Sequence, residues 1–235
     1  MRQSSLAFSF AALAWLAAPA HATCPTSTYY WGGLNPVTPI PMIAAANDTT
    51  FRSQPCESMH GRYQLNAGLL LAATYGCPAY SSFPAVTGLE TVVEDDFTVT
   101  GLAPGTPVTI DAVLDLRGLA ESFSEPGGGG GGRVRGLIRE GASHEVVLER
   151  ATTPSSSVNL NESLTLTVNA VAGTPVLLRF AVRAECMDGR AEMEATFRFA
   201  GLPPGAFVQS CRGYTSTAPV PTRTTTWGAL KTHHR

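Results

Sequence analysis

Three short segments of the chain resemble one another: GLAPGTPV at 101–108, AVAGTPV at 170–176 and GLPPGAFV at 201–208. Each ends one run of alternating apolar residues and starts another. Proline fixes φ and cannot donate to a ladder, and glycine takes positive φ at little cost. Such a segment turns a strand back or passes it between sheets. The spacing of the three is irregular, which describes recurrent corners rather than a solenoid or propeller. Many short strands with Gly/Pro corners predict an all-β fold. The expected architecture is a two-sheet antiparallel β-sandwich, jelly-roll or immunoglobulin-like, with about nine strands.

The runs between corners carry the period of two that a half-buried strand requires. In TPVTIDAVLDLRG, Val108, Ile110, Ala112, Leu114 and Leu116 face one way, while Thr109, Asp111, Asp115 and Arg117 face outward. ESLTLTVNA turns Leu164, Leu166 and Val168 inward. LETVVEDDFTVTG, RVRGLIRE and HEVVLER add strands, and GRYQLNAGLLLAATYG reads as the first. The strongest local signal is Asp188-Gly189, because a type I′ hairpin turn wants such a pair. That turn sets Phe180 against Phe197, Val182 against Ala195, Leu178 against Phe199 and Ala184 against Met193 on one face. Arg183 then meets Glu194 on the other face, beside Arg179, Glu185, Glu192 and Arg198. A slip of one residue would put every phenylalanine in water.

Residues 1–22, MRQSSLAFSFAALAWLAAPAHA, read as a secretory signal peptide: Arg2, an apolar stretch, then Ala20-His21-Ala22 as a small-x-small cleavage site. The apolar run is shorter than the ~20 residues a spanning helix needs, so no membrane span remains after cleavage. Thr23 precedes Cys24 where a lipoprotein signal wants Gly, Ala or Ser. The segment carries Arg2 and no acid, so sixteen basic residues fall to fifteen against eighteen acidic ones. That balance, without a basic stripe, excludes a nucleic-acid partner. Three segments fall outside the core of the expected sandwich domain, which spans 61–213. They are a proline-rich, irregular stretch at 23–60, a glycine loop tip at 125–133, and a disordered Thr/Pro-rich tail at 214–235.

All five cysteines (Cys24, Cys56, Cys77, Cys186, Cys211) survive processing, and an exported chain meets oxidising conditions. No Cys-x-x-Cys occurs and the histidines are scattered, so disulfides are the expected reading and zinc is not. One thiol is left over from the odd count. A Cys186–Cys211 bond would staple the last strand to the sandwich, with Cys24–Cys56 or Cys56–Cys77 tethering the N-terminal segment.

Candidate chemistry is sparse. Glu94-Asp95-Asp96 with Asp111 supplies oxygens for a hard cation such as calcium if adjacent strands bring them together, but no Asp-x-Asp-x-Asp-Gly loop exists, so a solvated strand end is the plainer reading. The same acids, with Asp115, could serve as a glycosidase pair, one acid and one nucleophile or base, but the sequence does not set their separation. His60 and His144 have no Gly-x-Ser-x-Gly elbow to serve and read as surface residues. Tyr29, Tyr30 and Trp31 would stack on a sugar ring, or else plug the open end of the sandwich. No cofactor is implied. Asn47-Asp48-Thr49 and Asn161-Glu162-Ser163 are glycosylation sequons only in a eukaryotic host.

The ending TTTWGALKTHHR resembles the Trp-Gly-x-x-Lys-x-x-x-Arg tails of some bacterial exported proteins, here Trp227 to Arg235 after a Thr/Pro linker. The resemblance, to uncharacterised exported β-sandwich proteins, implies a bacterial host and a sorting or surface-retention role for the tail. The resulting expectation is a non-catalytic exported sandwich, secreted or at the cell surface, with a structural or adhesive role toward surface or matrix components. A carbohydrate-binding module for glycans is the second reading, and a hydrolase of an extracellular polymer the third.

Overall fold

The computed structural model describes residues 27–32, 35–41, 47–54, 57–76, 87–124 and 130–216. The strands in chain order are β1 (Ser27–Gly32), β2 (Asn35–Pro41), β3 (Asn47–Gln54), β4 (Glu57–Gln64), β5 (Leu69–Gly76), β6 (Thr87–Thr100), β7 (Pro107–Ser122), β8 (Gly131–Glu140), β9 (His144–Ala151), β10 (Ser157–Val171), β11 (Pro175–Met187), β12 (Gly189–Ala200) and β13 (Phe207–Ser210). They form two antiparallel sheets packed as a sandwich. One runs β2-β1-β6-β11-β8-β9 with β13 also on β6, and the other runs β10-β7-β12-β5-β4-β3. The fold class is the expected one, with more strands than expected. Among the described residues no helix is long and apolar enough to cross a membrane.

The extra strands come from the proline-rich segment. Residues 23–60 were expected to be irregular, yet they hold β1 to β3 and the start of β4. Their prolines are concentrated in β2, an edge strand, where a missing N–H is tolerated. GRYQLNAGLLLAATYG is also two strands rather than one. Gly68 takes φ +64 and donates its N–H to the Leu65 carbonyl, folding β5 back on β4.

All three corners cross between sheets. Those after β6, β10 and β12 each leave one sheet and enter the other. Ala103 to Thr106 and Pro203 to Ala206 close with N–H to carbonyl bonds of 3.2 and 3.0 Å. Proline at the second position and positive φ at Gly105 and Gly205 make both type II turns. The corners also touch: Gly105 N–H donates to the Ala172 carbonyl, and Ala172 N–H to the Thr106 carbonyl, both at 2.9 Å. A Cβ on Gly101 would sit 2.1 Å from the Gly205 carbonyl oxygen. One end of the sandwich is therefore closed by three interlocked crossings.

Asp188-Gly189 does not make a hairpin. β11 pairs with β6 and β8, and β12 pairs with β5 and β7, so the two strands lie in opposite sheets. Asp188 has the positive φ the turn signal implied, at +51°. Gly189 serves close approach instead, since a Cβ there would lie 2.2 Å from the Glu121 carbonyl oxygen. The facing pattern survives in another form. Phe180 and Phe197 do oppose each other, as rings stacked 4.5 Å apart across the interior rather than as ladder partners. The expected Arg183–Glu194 pair is lost, because those residues cover opposite outer faces; Arg183 pairs with Glu185.

The glycine tract is not only a flexible tip. β8 begins at Gly131; a Cβ on Gly130 would strike Ser124 at 1.7 Å, and one on Gly132 would meet Ala120 at 3.1 Å. The Cys186–Cys211 staple does not form either. Cys186 is a buried thiol paired in register with Thr87, whereas Cys211 donates its N–H to the Asp96 carbonyl. Thr87 and Asp96 lie about 30 Å apart along β6, at ~3.3 Å per residue, far beyond the ~7 Å limit for a disulfide.

The core centres on Phe97, Phe180, Phe197 and Phe199, and Tyr214 joins them although it lies past the expected boundary at Gly213. Tyr214 is 1% exposed, with its ring 4.8 Å from that of Phe197. Burial pushes its hydroxyl up to about 12, against the pull of Arg198. Ser216 donates its N–H to the Val208 carbonyl and accepts from Val208 N–H, both at 2.8 Å, so the sandwich runs at least to Ser216.

Two outcomes follow. Truncation after Ser216 should leave urea stability nearly unchanged, while truncation after Gly213 should cost about 3–5 kcal/mol, the usual loss for a large buried aromatic. Gly105→Ala, with open space around it, should cost only the ~1–2 kcal/mol of a left-handed L-residue. Gly101→Ala should cost distinctly more, because the Gly205 backbone must also give way. Equal melting temperatures for these two alanine variants would contradict the interlocked corners.

Candidate functional site

Alternation along β6, β8 and β11 sends Val93, Ile138, Phe180 and Val182 inward and charged residues outward. The outer face of the seven-stranded sheet consequently carries ion pairs across neighbouring strands. Arg179 reaches Glu90 at 3.5 Å and Glu94 at 3.9 Å, and Arg139 reaches Glu94 at 3.6 Å. Arg133 contacts Glu149 at 3.4 Å and Glu185 at 3.9 Å, and Arg183 also pairs with Glu185. Beneath them Val92, Leu137 and Ala181 form a small apolar cluster on the same outer face, at most 6% exposed. Long arginine stems shield apolar surface in this way while their heads stay in contact with acids and water. Exposed pairs contribute little stability one by one, so this face is a patterned surface more than a structural brace.

At one end of this face lies a shallow groove of about 430 Å³, bordered by Gly131, Arg133, Thr152, Glu185 and Met187. Its floor is held by Gly132 N–H donating to Thr152 Oγ1 at 2.7 Å. The registers align one row across the sheet here: Trp31 opposite Gly88, Gly88 opposite Glu185, Glu185 opposite Arg133, and Arg133 opposite Ala151. Tyr29 and Tyr30 stand opposite Glu90 and Leu89. The side chains of Tyr29, Tyr30 and Trp31 lie outside the described residues, as do Cys24, Cys56 and Cys77.

The candidate cation site is not assembled. Asp95 is fully buried and points into the sandwich, Glu94 and Asp96 point outward, and Asp111 belongs to the other sheet. Among the described residues no three His, Cys, Asp or Glu side chains converge on a metal position. Asp111 instead accepts a bond from Thr167 Oγ1 at 2.8 Å. Asp115 accepts one from Arg198 Nε at 2.8 Å and one from Ser163 Oγ at 2.6 Å. His144 joins Glu140 at 2.8 Å across the β8–β9 hairpin.

Asp95 has a structural task that the sequence hid. Its Oδ1 accepts from Asp96 N–H at 2.8 Å and its Oδ2 from Arg212 N–H at 3.2 Å, pinning the turn after β13. Burial raises its carboxyl above the usual carboxylate range, although bonds from Ser210, Asp96 and Arg212 work against that. Burial also works to raise Asp115, but Arg198 and Ser163 hold it below that range. Period-two counting does place residue 95 on the inner face with Val93 and Phe97; only the run of three acids disguised it.

The pH response of these two acids has opposite sign. A raised carboxyl favours the fold most when protonated, so the contribution of Asp95 is present below 3.8 and is lost as pH rises through its folded value. The contribution of Asp115 is present above 3.8 and is lost as pH falls through its folded value. Asp95→Asn should therefore gain on the wild type between pH 3 and 7 in urea titrations, and Asp115→Asn should lose ground over the same range. Parallel curves for Asp95→Asn and wild type would contradict the buried acid.

No family model matches the chain, and no curated protein matches it.

Proposed function

We propose that the protein is an exported, non-catalytic β-sandwich that works by surface contact, in a structural or adhesive role at the cell surface or in the surrounding matrix. The observation that supports this reading is the outer face of the seven-stranded sheet. It is a broad surface on which Arg133, Arg139, Arg179 and Arg183 alternate with Glu90, Glu94 and Glu185, over a shallow groove. Such a face fits a partner that is itself extended and polar. The leader at 1–22 and the odd set of cysteines favour an exported setting.

A glycan is the second reading, favoured by the row that runs from Trp31 through Gly88 to Glu185 and Arg133. Aromatic faces and bidentate polar groups are what sugar rings need.

Protein beginning at Thr23 should co-sediment with washed producing cells or with their insoluble matrix. Arg133→Ala, which leaves Arg183 paired with Glu185, should lower the bound fraction severalfold without lowering the melting temperature. Full recovery of wild-type protein in the supernatant would sink the adhesive reading. A glycan array hit that disappears in Trp31→Ala would favour the second reading.

A further inference from the structure

We propose that the protein pairs with a second copy of itself, edge to edge through β10, so that the six-stranded sheets of the two copies become one continuous sheet. Among the described residues the sheets end at β2, β9, β10 and β3. An open strand edge invites another chain, and folds blunt it with proline, charge, a bulge or shortness. β2 carries Pro36, Pro39 and Pro41, and β3 has a register shift between Arg52 and Gln54. β9 has eight residues, with Glu145, Glu149 and Arg150 among them. β10 is different. Its fifteen residues contain no proline, lysine or arginine, and they pair with β7 without a break from Ser157 opposite Glu121 to Val171 opposite Pro107. Its single charge, Glu162, is held by Arg150 at 2.8 Å.

The open side of β10 is set for a ladder. At its two ends the Ser156 carbonyl accepts from Ser122 N–H at 3.0 Å, and Ala172 N–H donates to the Thr106 carbonyl at 2.9 Å. Ladder bonds alternate along an antiparallel strand. The even-numbered residues therefore bond to β7, and the odd-numbered ones turn N–H and C=O to the open side. These are Asn159, Asn161, Ser163, Thr165, Thr167 and Asn169, with one residue beyond at each end, and every one is exposed.

A two-fold axis through the middle of β10 lays the strand antiparallel on itself, an isologous contact that closes at two copies. With full overlap, odd residues face odd residues, so their outward N–H and C=O groups meet one another. Asn159 then falls opposite Asn169 of the second copy, Ser163 opposite Thr165, and Leu164 opposite its own counterpart on the inner face. Cross-strand amide, hydroxyl and apolar pairs of this kind favour a ladder. No like charges are brought together, since Glu162 falls opposite Leu166. A strip of fifteen residues at ~3.4 Å each and ~10 Å deep covers about 500 Å² on each copy, about 1,000 Å² in all, where specific interfaces begin. A foreign chain gains nothing from this symmetry.

The test is sedimentation velocity of the purified protein over about a hundredfold range of concentration, with hydrogen exchange read residue by residue at both ends of that range. The expected result is a dimer that dissociates to monomer on dilution. Amides of Asn161, Ser163, Thr165 and Thr167 should exchange about tenfold more slowly in the dimer, while those of Leu160, Leu164 and Leu166 change much less. Thr165→Lys sets one charge from each copy beside the axis. It should sediment as a monomer throughout, with the melting temperature of the dilute wild type. A wild-type monomer over the whole range, a dimer that survives Thr165→Lys, growth beyond two copies, or a different chain bound at β10 would overturn the pairing. Equal exchange changes at odd and even residues would do the same, and that pattern in the wild type decides alone if Thr165→Lys fails to fold.

Discussion

Phe180 lies flat against Phe197 in the middle of the sandwich, and Phe97, Phe199 and Tyr214 set their rings around the pair at angles between 42° and 87°. This aromatic cluster is the contact on which the other elements depend. It draws on β6, β11 and β12 and on the turn after β13, so it exists only when both sheets are complete around it. Stacked and edge-to-face rings contribute beyond the area they bury, by about 0.5–1.5 kcal/mol for each pair. The small residues nearby are consequences of the same packing. A Cβ at Gly68 would meet the Phe197 carbonyl oxygen at 2.4 Å, and Phe197 N–H donates to the Gly68 carbonyl.

Two consecutive strands usually pair when a two-residue turn joins them, and β11 and β12 do not. Their apolar faces were read as one half-buried hairpin, which would need a third element to cover its phenylalanines. The chain covers them with each other instead: β11 and β12 bring the same residues together from opposite sheets. Each strand then gains two ladder partners, β6 and β8 for one, β5 and β7 for the other. That exchange replaces one shared ladder with four, which is why a locally good hairpin signal loses to the global fold.

Alternation therefore made the inward residues legible, Val108 to Leu116 and Leu164 to Val168 among them, and the Gly/Pro segments made the corners legible. Which strands pair was not, because a period of two identifies a face and says nothing about whether its partner lies beside it or across from it. The proline-rich start misled for a related reason. Proline argues against a central strand, but β2 is an edge strand and is exempt. At the other end, Tyr214 was assigned to the tail by the Thr/Pro composition that follows it, when one aromatic side chain outweighed its neighbours. The candidate site was visible only in part. Arg133, Arg179, Arg183 and Glu185 stand out in the sequence as the polar half of each alternation, while the row they form across β6, β11 and β8 depends on registers no local pattern specifies.

The crossings have a consequence for the order in which this chain can become a sandwich. From β5 onward nearly every connection changes sheets, and β8–β9 is the exception. β6 must wait for β11 and β13, more than seventy residues away in sequence, before its edges are covered. A chain delivered N-terminus first would hold β7 with an open edge until β12 emerged, and β6 until β13 did. Topologies dominated by such distant pairings fold slowly and leave strand edges open to other chains meanwhile. Whatever keeps β6 from meeting a second copy during that interval matters as much as the stability of the finished fold.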